Sequence, residues 1–327
     1  MESVADGWDG YGRPVPSARP LEARSGQVTL AGTLWEPDGD AVATVLMHPG
    51  SGPSNRDNDV YFPQIRALLL DAGIAAASFD KRGVGGSTGD WREAGIDEQA
   101  GDAAAALDAL RAAGTPEPIG LFGHSQGGWV VIEAAARGAP TAFVVTNGGP
   151  GVSPAVQDRF ALANAGRRAG RSPEGIDRLL ARYDLMCELV RDGVSAADAA
   201  SRLGPPDGHE LDAYGTIDDA EWELHRRLVD HDPRPALRRL TVPLLALFGA
   251  DDEITPVAVS VAACRAEVRP DLLTDAGLPG GDHRVQVGEP RRLVEGYRAT
   301  LVGFVRSALG VTDAAGADPA EAAGSGT

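Results

Sequence analysis

The chain has 327 residues, of which 43% are hydrophobic and 24% charged, a composition typical of a globular protein with one extended core and an inserted subdomain. Its formal net charge of −17 disfavours nucleic acids and anionic membranes as partners, because both would repel the protein's field. No stretch is apolar for the length of a bilayer crossing and the N-terminus lacks a signal-peptide profile, so we expect a cytoplasmic protein.

Strand-like and helix-like segments alternate after an irregular N-terminal extension, which we assign to residues 1–26. Short apolar runs at 28–30 and 33–35 flank Ala31-Gly32 and predict an antiparallel opening pair. Further strands are predicted over 43–47, 74–79, 119–122, 142–145 and 244–248. Helices are predicted over 61–72, 99–113, 128–137, 257–264 and 290–309. This alternation predicts a mostly parallel sheet with helices on both faces, whose active site lies at the carboxyl ends of the strands.

Residues 151–240 interrupt this alternation and are predicted to form a helical cap inserted into the α/β domain. Their apolar positions, at helical spacing within 179–190 and 222–228, are better explained by packing within the cap than by substrate contact, and they also leave a homodimer open. Cys187 and Cys264 lie in helix-like patterns, which predicts buried free thiols. Residues 311–327 lack apolar periodicity and are expected to be a disordered tail.

The pentapeptide Gly123-His124-Ser125-Gln126-Gly127 stands between a predicted strand and a predicted helix. In that context a G-x-S-x-G motif forms a nucleophile elbow, in which a strained serine is lifted clear of the sheet. The motif alone is weak evidence, because the chain has 42 glycines and a solvated serine in a glycine-rich turn would match it as well. Ser125 is therefore a candidate nucleophile that needs partners.

Candidate partners follow other predicted strands. Asp251 and Asp252 come after the strand 244–248; either would reach the site, and Asp252 is preferred because it fits a G-x-x-D spacing from Gly249. No acidic residue follows the strand 142–145 in the segment 146–149, which removes the main rival position for the acid. His283, in a glycine-rich loop before the last helix, is the only histidine that follows both serine and acid, in the order nucleophile, acid, histidine.

The segment His48-Pro49-Gly50-Ser51 follows the strand 43–47 and is the candidate oxyanion loop. The amides of Ser51 and of Gln126, the residue after the nucleophile, are predicted to donate to the developing charge. Pro49 has no amide hydrogen, and Ser51 is preferred over Gly50.

With these parts assembled, the sequence resembles the α/β-hydrolase superfamily, and within it the capped esterase-like hydrolases. The resemblance covers 27–309 and rests on five motifs at 50–57, 80–87, 123–128, 249–252 and 280–283. It implies an α/β-hydrolase core over 27–150 and 241–310, a helical cap over 151–240, and a structural rather than catalytic role for the turn 80–87.

The expected function is a serine hydrolase that cleaves a carboxylic ester of a small-molecule acyl substrate through an acyl-enzyme, with Ser125, Asp252 and His283 as the triad. No cofactor or metal is required by this chemistry. A thioesterase, a peptidase or amidase, or a lactone-forming tailoring enzyme of secondary metabolism would use the same triad. The third class of function that the sequence leaves open is a non-catalytic binding protein.

Overall fold

The computed structural model describes residues 17–204 and 218–311, so the expectations for 1–16 and 312–327 lie outside the described residues. The strands of the described chain are β1 Ser17–Ser25, β2 Val28–Glu36, β3 Ala43–His48, β4 Ile74–Phe79, β5 Ile119–His124, β6 Val144–Asn147, β7 Leu244–Gly249, β8 Leu273–Leu278, β9 Gln286–Val287 and β10 Arg292–Leu293. The first eight form one sheet in the order β1-β2-β4-β3-β5-β6-β7-β8, and β9 pairs with β10 in a small hairpin.

The sheet is parallel from β4 to β8 and antiparallel at its N-terminal edge, where β1 pairs with β2 and β2 with β4. The central strands β3, β5 and β7 are apolar along their length because both of their faces are covered by helices. The carboxyl ends of β3 and β5 are level, with His48 beside Gly123, and those of β5 and β6 are level, with His124 beside Asn147. The oxyanion loop and the elbow therefore leave the sheet at one edge.

Ten helices accompany the sheet within the described ranges. They are α1 Phe62–Asp71, α2 Ile96–Ala112, α3 Gln126–Ala136, α4 Pro154–Arg168, α5 Pro173–Arg191, α6 Ala196–Leu203, α7 Asp219–Leu228, α8 Arg234–Arg239, α9 Val257–Glu267 and α10 Tyr297–Ala308. On one face, α1 and α10 pack their apolar residues in a core that includes Ile65 and Leu301. On the other face, α2, α3, α8 and α9 surround a second core that includes Leu107 and Val130.

The inserted region α4–α8 lies between β6 and β7 and has an apolar cluster of its own, built around α5 with contributions from α4 and α7. Met186 and Val190, two of the positions at helical spacing, are buried in it. Its last helix is different, since Ala236 and Leu237 of α8 belong to the core beneath α3. The α/β-hydrolase architecture with an inserted helical region, predicted from the sequence, is confirmed.

Three elements differ from the sequence prediction. The predicted antiparallel pair 28–30 and 33–35 is wrong, because 28–36 is one strand whose partner is Ser17–Ser25, inside the range assigned to an N-terminal extension. Strand β8 was not predicted at all. The last helix begins at Tyr297 rather than at Pro290, since the β9–β10 hairpin occupies the intervening chain. Both cysteines are buried free thiols, as expected.

Candidate active site

Ser125 occupies a sharp turn between β5 and α3 with φ 53° and ψ −122°. A non-glycine residue at this φ is strained, so the surrounding structure must hold it in place. The Ser125 amide donates to the Asn147 carbonyl at 3.0 Å. The flanking glycines are required sterically, because a Cβ on Gly123 would overlap the Gly127 carbonyl and one on Gly127 would lie 2.5 Å from the His48 carbonyl oxygen. The elbow predicted from the pentapeptide is thus present, with its serine 8% exposed.

A continuous hydrogen-bonded chain joins the three predicted site residues. The Ser125 hydroxyl lies 2.9 Å from His283 Nε2, and His283 Nδ1 lies 2.9 Å from Asp252 Oδ2. Since a carboxylate only accepts, Nδ1 carries the proton and Nε2 is left as an acceptor for the serine hydroxyl. This is the arrangement that a general base needs in order to remove the proton of a nucleophile.

Asp252, and not Asp251, faces the histidine. The Asp252 side chain is fully buried, and its second oxygen accepts hydrogen bonds of 2.8 Å from the amides of Ile254 and Thr255. Asp251 is exposed at the surface. The carboxylate that contacts His283 is therefore held by backbone amides, which also satisfy its remaining acceptor positions.

The loop that carries His283 packs closely on the sheet. Gly148 and Gly249, which end the neighbouring strands, leave room for it: a Cβ on Gly148 would lie 2.7 Å from the His283 carbonyl oxygen, and one on Gly249 would overlap the Asp282 carbonyl. On the other side of the loop, the Tyr61 hydroxyl donates to the Arg284 carbonyl at 2.6 Å. These contacts fix the position of the imidazole relative to the elbow.

The oxyanion loop is tied to the elbow by Asn58, a buried residue in the left-handed region with φ 44°. Its Oδ1 accepts from the Gly50 amide at 3.3 Å and its Nδ2 donates to His124 Nδ1 at 2.8 Å. The Gly50 amide is therefore engaged, whereas the Gln126 amide is the first of α3 and has no intrahelical partner. Ser51 and Gln126 both line the cavity next to Ser125, and their role as oxyanion donors stays a prediction.

Lys81 contacts both the oxyanion loop and the start of α3, and it is the only lysine in the sequence. Its ammonium group is buried and donates to the Gly50 carbonyl at 2.5 Å and to Gln126 Oε1 at 2.9 Å. Burial lowers the pKa of Lys81 to about 7, an effect that the nearby Asp102 carboxylate partly opposes. One side chain thus bridges the oxyanion loop and the helix that begins after the nucleophile.

The neighbouring Asp80 has a different role. It binds the Arg56 guanidinium at 2.6 Å and accepts the Gly86 amide at 3.0 Å, so it closes the turn after β4. This agrees with the structural role that the family resemblance implied for residues 80–87.

Two cavities meet at Ser125. The cap cavity, of about 390 Å³, lies between the elbow and helices α4, α5 and α7. The His283 cavity, of about 480 Å³, lies between His283, the oxyanion loop and α4. Four residues line both cavities: Ser51, Ser125, Gln157 and Asp158. Each cavity has the size of a small-molecule site.

Residues 45–295 match the family model described as the alpha/beta hydrolase family. The match spans most of the chain and includes every candidate site residue. The chain belongs to this family. A search of curated protein sequences finds no match for it.

Solved structures with the same fold include an esterase and a proline iminopeptidase. An esterase of Pyrococcus furiosus superposes with a TM-score of 0.60 at 16% identity, over 90% of this chain and 91% of that chain. A proline iminopeptidase of Mycobacterium smegmatis superposes with a TM-score of 0.57 at 19% identity, over 90% of this chain and 99% of that chain. At identities this low, the likeness shows the shared fold.

Residues 17–204 and 218–311 contain neither a candidate membrane-spanning helix nor a candidate cluster of metal ligands. No helix there is long and apolar enough to cross a membrane. No group of three or more His, Cys, Asp or Glu side chains there could hold a metal ion.

Asn58 and Lys81 were not identified from the sequence. Neither belongs to the motif that forms the triad, and each acts across a large sequence separation, Asn58 on His124 and Lys81 on Gln126. The unique occurrence of lysine at position 81 was the one available signal for the second of them.

Proposed function

We propose that this alpha/beta hydrolase is a serine esterase that cleaves a carboxylic ester of a small molecule through an acyl-enzyme. The observation that carries the proposal is the chain of two 2.9 Å hydrogen bonds from Ser125 through His283 to Asp252. Such a chain activates a serine hydroxyl that is otherwise a weak nucleophile at neutral pH.

In the proposed reaction, His283 Nε2 takes the proton from Ser125 Oγ as the oxygen bonds to the acyl carbon. The carbonyl oxygen becomes an oxyanion that the amides of Ser51 and Gln126 stabilise; one such donor is worth on the order of 3 kcal/mol in the transition state. The ester C–O bond then breaks, and His283 gives the proton to the leaving alkoxide. Water then gives a proton to the same imidazole as it attacks the acyl carbon, the bond between Ser125 Oγ and that carbon breaks, and the imidazole returns the proton to Oγ as the carboxylic acid leaves.

The nucleophile is tested with a fluorophosphonate probe, which reacts with activated serines. We expect the wild-type protein to be labelled and the Ser125→Ala variant not to be. Ser54→Ala is the matched control, because Ser54 also lines the His283 cavity but its hydroxyl donates to the Ser51 carbonyl, at 3.0 Å, and contacts no imidazole among the described residues. Equal labelling of wild type and Ser125→Ala would refute the assignment, and no labelling of wild type would favour a non-catalytic binding protein.

The bond that is cleaved is tested with an ester, a thioester and an amide of one acyl group. The proposal expects the highest kcat/KM, relative to the uncatalysed rate, for the ester. A preference for the thioester or the amide would replace the ester assignment by thioesterase or amidase activity on the same triad.

A further inference from the structure

Helix α4 brings two polar side chains into the substrate site. Gln157 and Asp158 line both the cap cavity and the His283 cavity, together with Ser125. They stand where the two halves of a bound substrate would meet, and the proposed reaction uses neither of them. Their chemistry therefore bears on which substrate the site accepts.

Asp158 is a carboxylate that pairs with no cationic side chain among residues 17–204 and 218–311. Its hydrogen bond comes from the Tyr183 hydroxyl, a neutral donor, at 3.3 Å. Burial raises the pKa of Asp158 to about 6, and the hydrogen bond from Tyr183 opposes this effect in part. The next residue in the chain, Arg159, pairs with Asp184 on the surface of the cap instead.

The wall of the cap cavity is acidic as a whole. Glu221 of α7 adds a second carboxylate, and the described lining residues of this cavity contain no lysine or arginine. His225 also lines the cavity, and burial lowers the pKa of its imidazole, which favours the neutral form. Taking a carboxylate out of water is costly unless a positive charge and hydrogen-bond donors replace the water. A bound cation would therefore neutralise the negative charge of this cavity wall.

Gln157 provides a second, independent observation. The residue is 8% exposed, and among the described residues its Oε1 has no hydrogen-bond partner. A buried acceptor without a partner carries a free-energy cost that a donor on a ligand would remove. Gln157 and Asp158 together present acceptors to a ligand that brings both hydrogen-bond donors and a positive charge.

The site also indicates which half of the substrate carries that charge. His283 must protonate the leaving group, so the leaving group occupies the cavity that His283 lines. The acyl group is then left with the cap cavity, whose walls include the apolar Met186, Val190 and Leu224 in addition to the carboxylates.

We propose that the substrate's acyl group carries a protonated amine, and that Asp158 binds this ammonium group with Gln157 as a further acceptor. This inference rests on the proposed esterase function and narrows its substrate class to amino-acyl esters. Asp158 acts as a specificity residue, since the acyl-transfer chemistry itself does not need it.

The test compares two p-nitrophenyl esters of equal size, one with an amino-acyl group and one with its methyl-for-ammonium isostere, each normalised to its uncatalysed rate. We expect wild type to prefer the amino-acyl ester. Asp158→Asn should lower kcat/KM for that ester by about 10- to 100-fold, the effect of losing a charged hydrogen bond, and change the isostere little. Glu223→Gln, an exposed cap carboxylate paired with Arg226, is the matched control and should leave both substrates unchanged.

Equal loss for both esters in Asp158→Asn would mean a purely structural role, and the absence of any preference in wild type would also overturn the proposal. A binding measurement separates this proposal from the esterase function and does not depend on Asp158→Asn folding. In Ser125→Ala, n-butylammonium should bind more tightly than n-butanol in a calorimetric titration. Equal binding of the two would refute the amine site even if the protein hydrolyses esters.

Discussion

Lys81 gives the sharpest prediction about the energetics of this fold. The pKa of Lys81 falls from 10.5 to about 7 because the ammonium is buried. That shift corresponds to about 5 kcal/mol of free energy that disfavours the protonated form in the folded state. Between pH 7 and 10.5 the unfolded chain holds a proton on Lys81 that the folded chain has lost. The free energy of unfolding therefore rises with pH across this window.

Replacing the side chain isolates this contribution. In Lys81→Met, which keeps the length of the side chain without the charge, the rise should be absent. Urea unfolding from pH 7.5 to 9.5 should show a wild-type slope that exceeds the variant slope by about 1.4 kcal/mol per pH unit. Groups shared by the two proteins contribute equally and cancel in the difference.

Because the chain has one lysine, the pKa of Lys81 can also be measured directly. Protein labelled with ¹³C-lysine has one lysine side chain, so its NMR resonance reports the titration of Lys81 without assignment. A midpoint near pH 7 would agree with the buried geometry. A midpoint above pH 10, together with parallel stability slopes for wild type and Lys81→Met, would refute the reasoning.

Three further outcomes are expected. Asp252→Asn should reduce kcat on a p-nitrophenyl ester by about 10³- to 10⁴-fold, whereas Asp251→Asn should change it by less than about twofold; the reverse order would make Asp251 the acid. The free energy of unfolding, measured in urea, should be about 1 kcal/mol higher for Ser125→Gly than for Ser125→Ala, because glycine relieves the strain at φ 53° that alanine keeps. Equal free energies of unfolding would show that the turn is not strained. Asn58→Ala should lower kcat by about 10-fold with KM nearly unchanged, since its amide orients the oxyanion loop; a change confined to KM would contradict that role.

The elements that could be predicted from the sequence are those whose signal is local. Strands β3, β5 and β7 are short apolar runs buried on both faces, and the elbow has a fixed motif between a strand and a helix. Each of these signals is contained within a few consecutive residues. The residues Ser125, Asp252 and His283 follow from the same logic, since each comes shortly after a strand or in a glycine-rich loop.

The elements that were not predicted depend on long-range contacts. Strand β1 is mostly exposed and mixes charged residues with proline, so its conformation depends on pairing with β2. Strand β8 contains Asp275 and Gly277 and lies at the edge of the sheet, where its register follows β7. Asn58 and Lys81 act through hydrogen bonds to distant segments, and no periodicity in the sequence encodes such contacts.

The point of insertion of the cap has a consequence for how such enzymes diversify. The chain leaves the sheet at the end of β6 and returns at β7, and these strands are direct neighbours, with Val144 opposite Leu244. Because β6 and β7 are parallel, the chain leaves at the carboxyl end of β6 and re-enters at the amino end of β7, so the connection must cross the sheet. Helix α8, whose Ala236 and Leu237 belong to the sheet core, lies on this return path. A replacement insert that keeps α8 would leave the sheet unchanged. Exchange of this one continuous segment by recombination would supply a new acyl pocket while the chemical groups on the sheet stay in register. Selectivity and reactivity can then evolve in separate stretches of the gene.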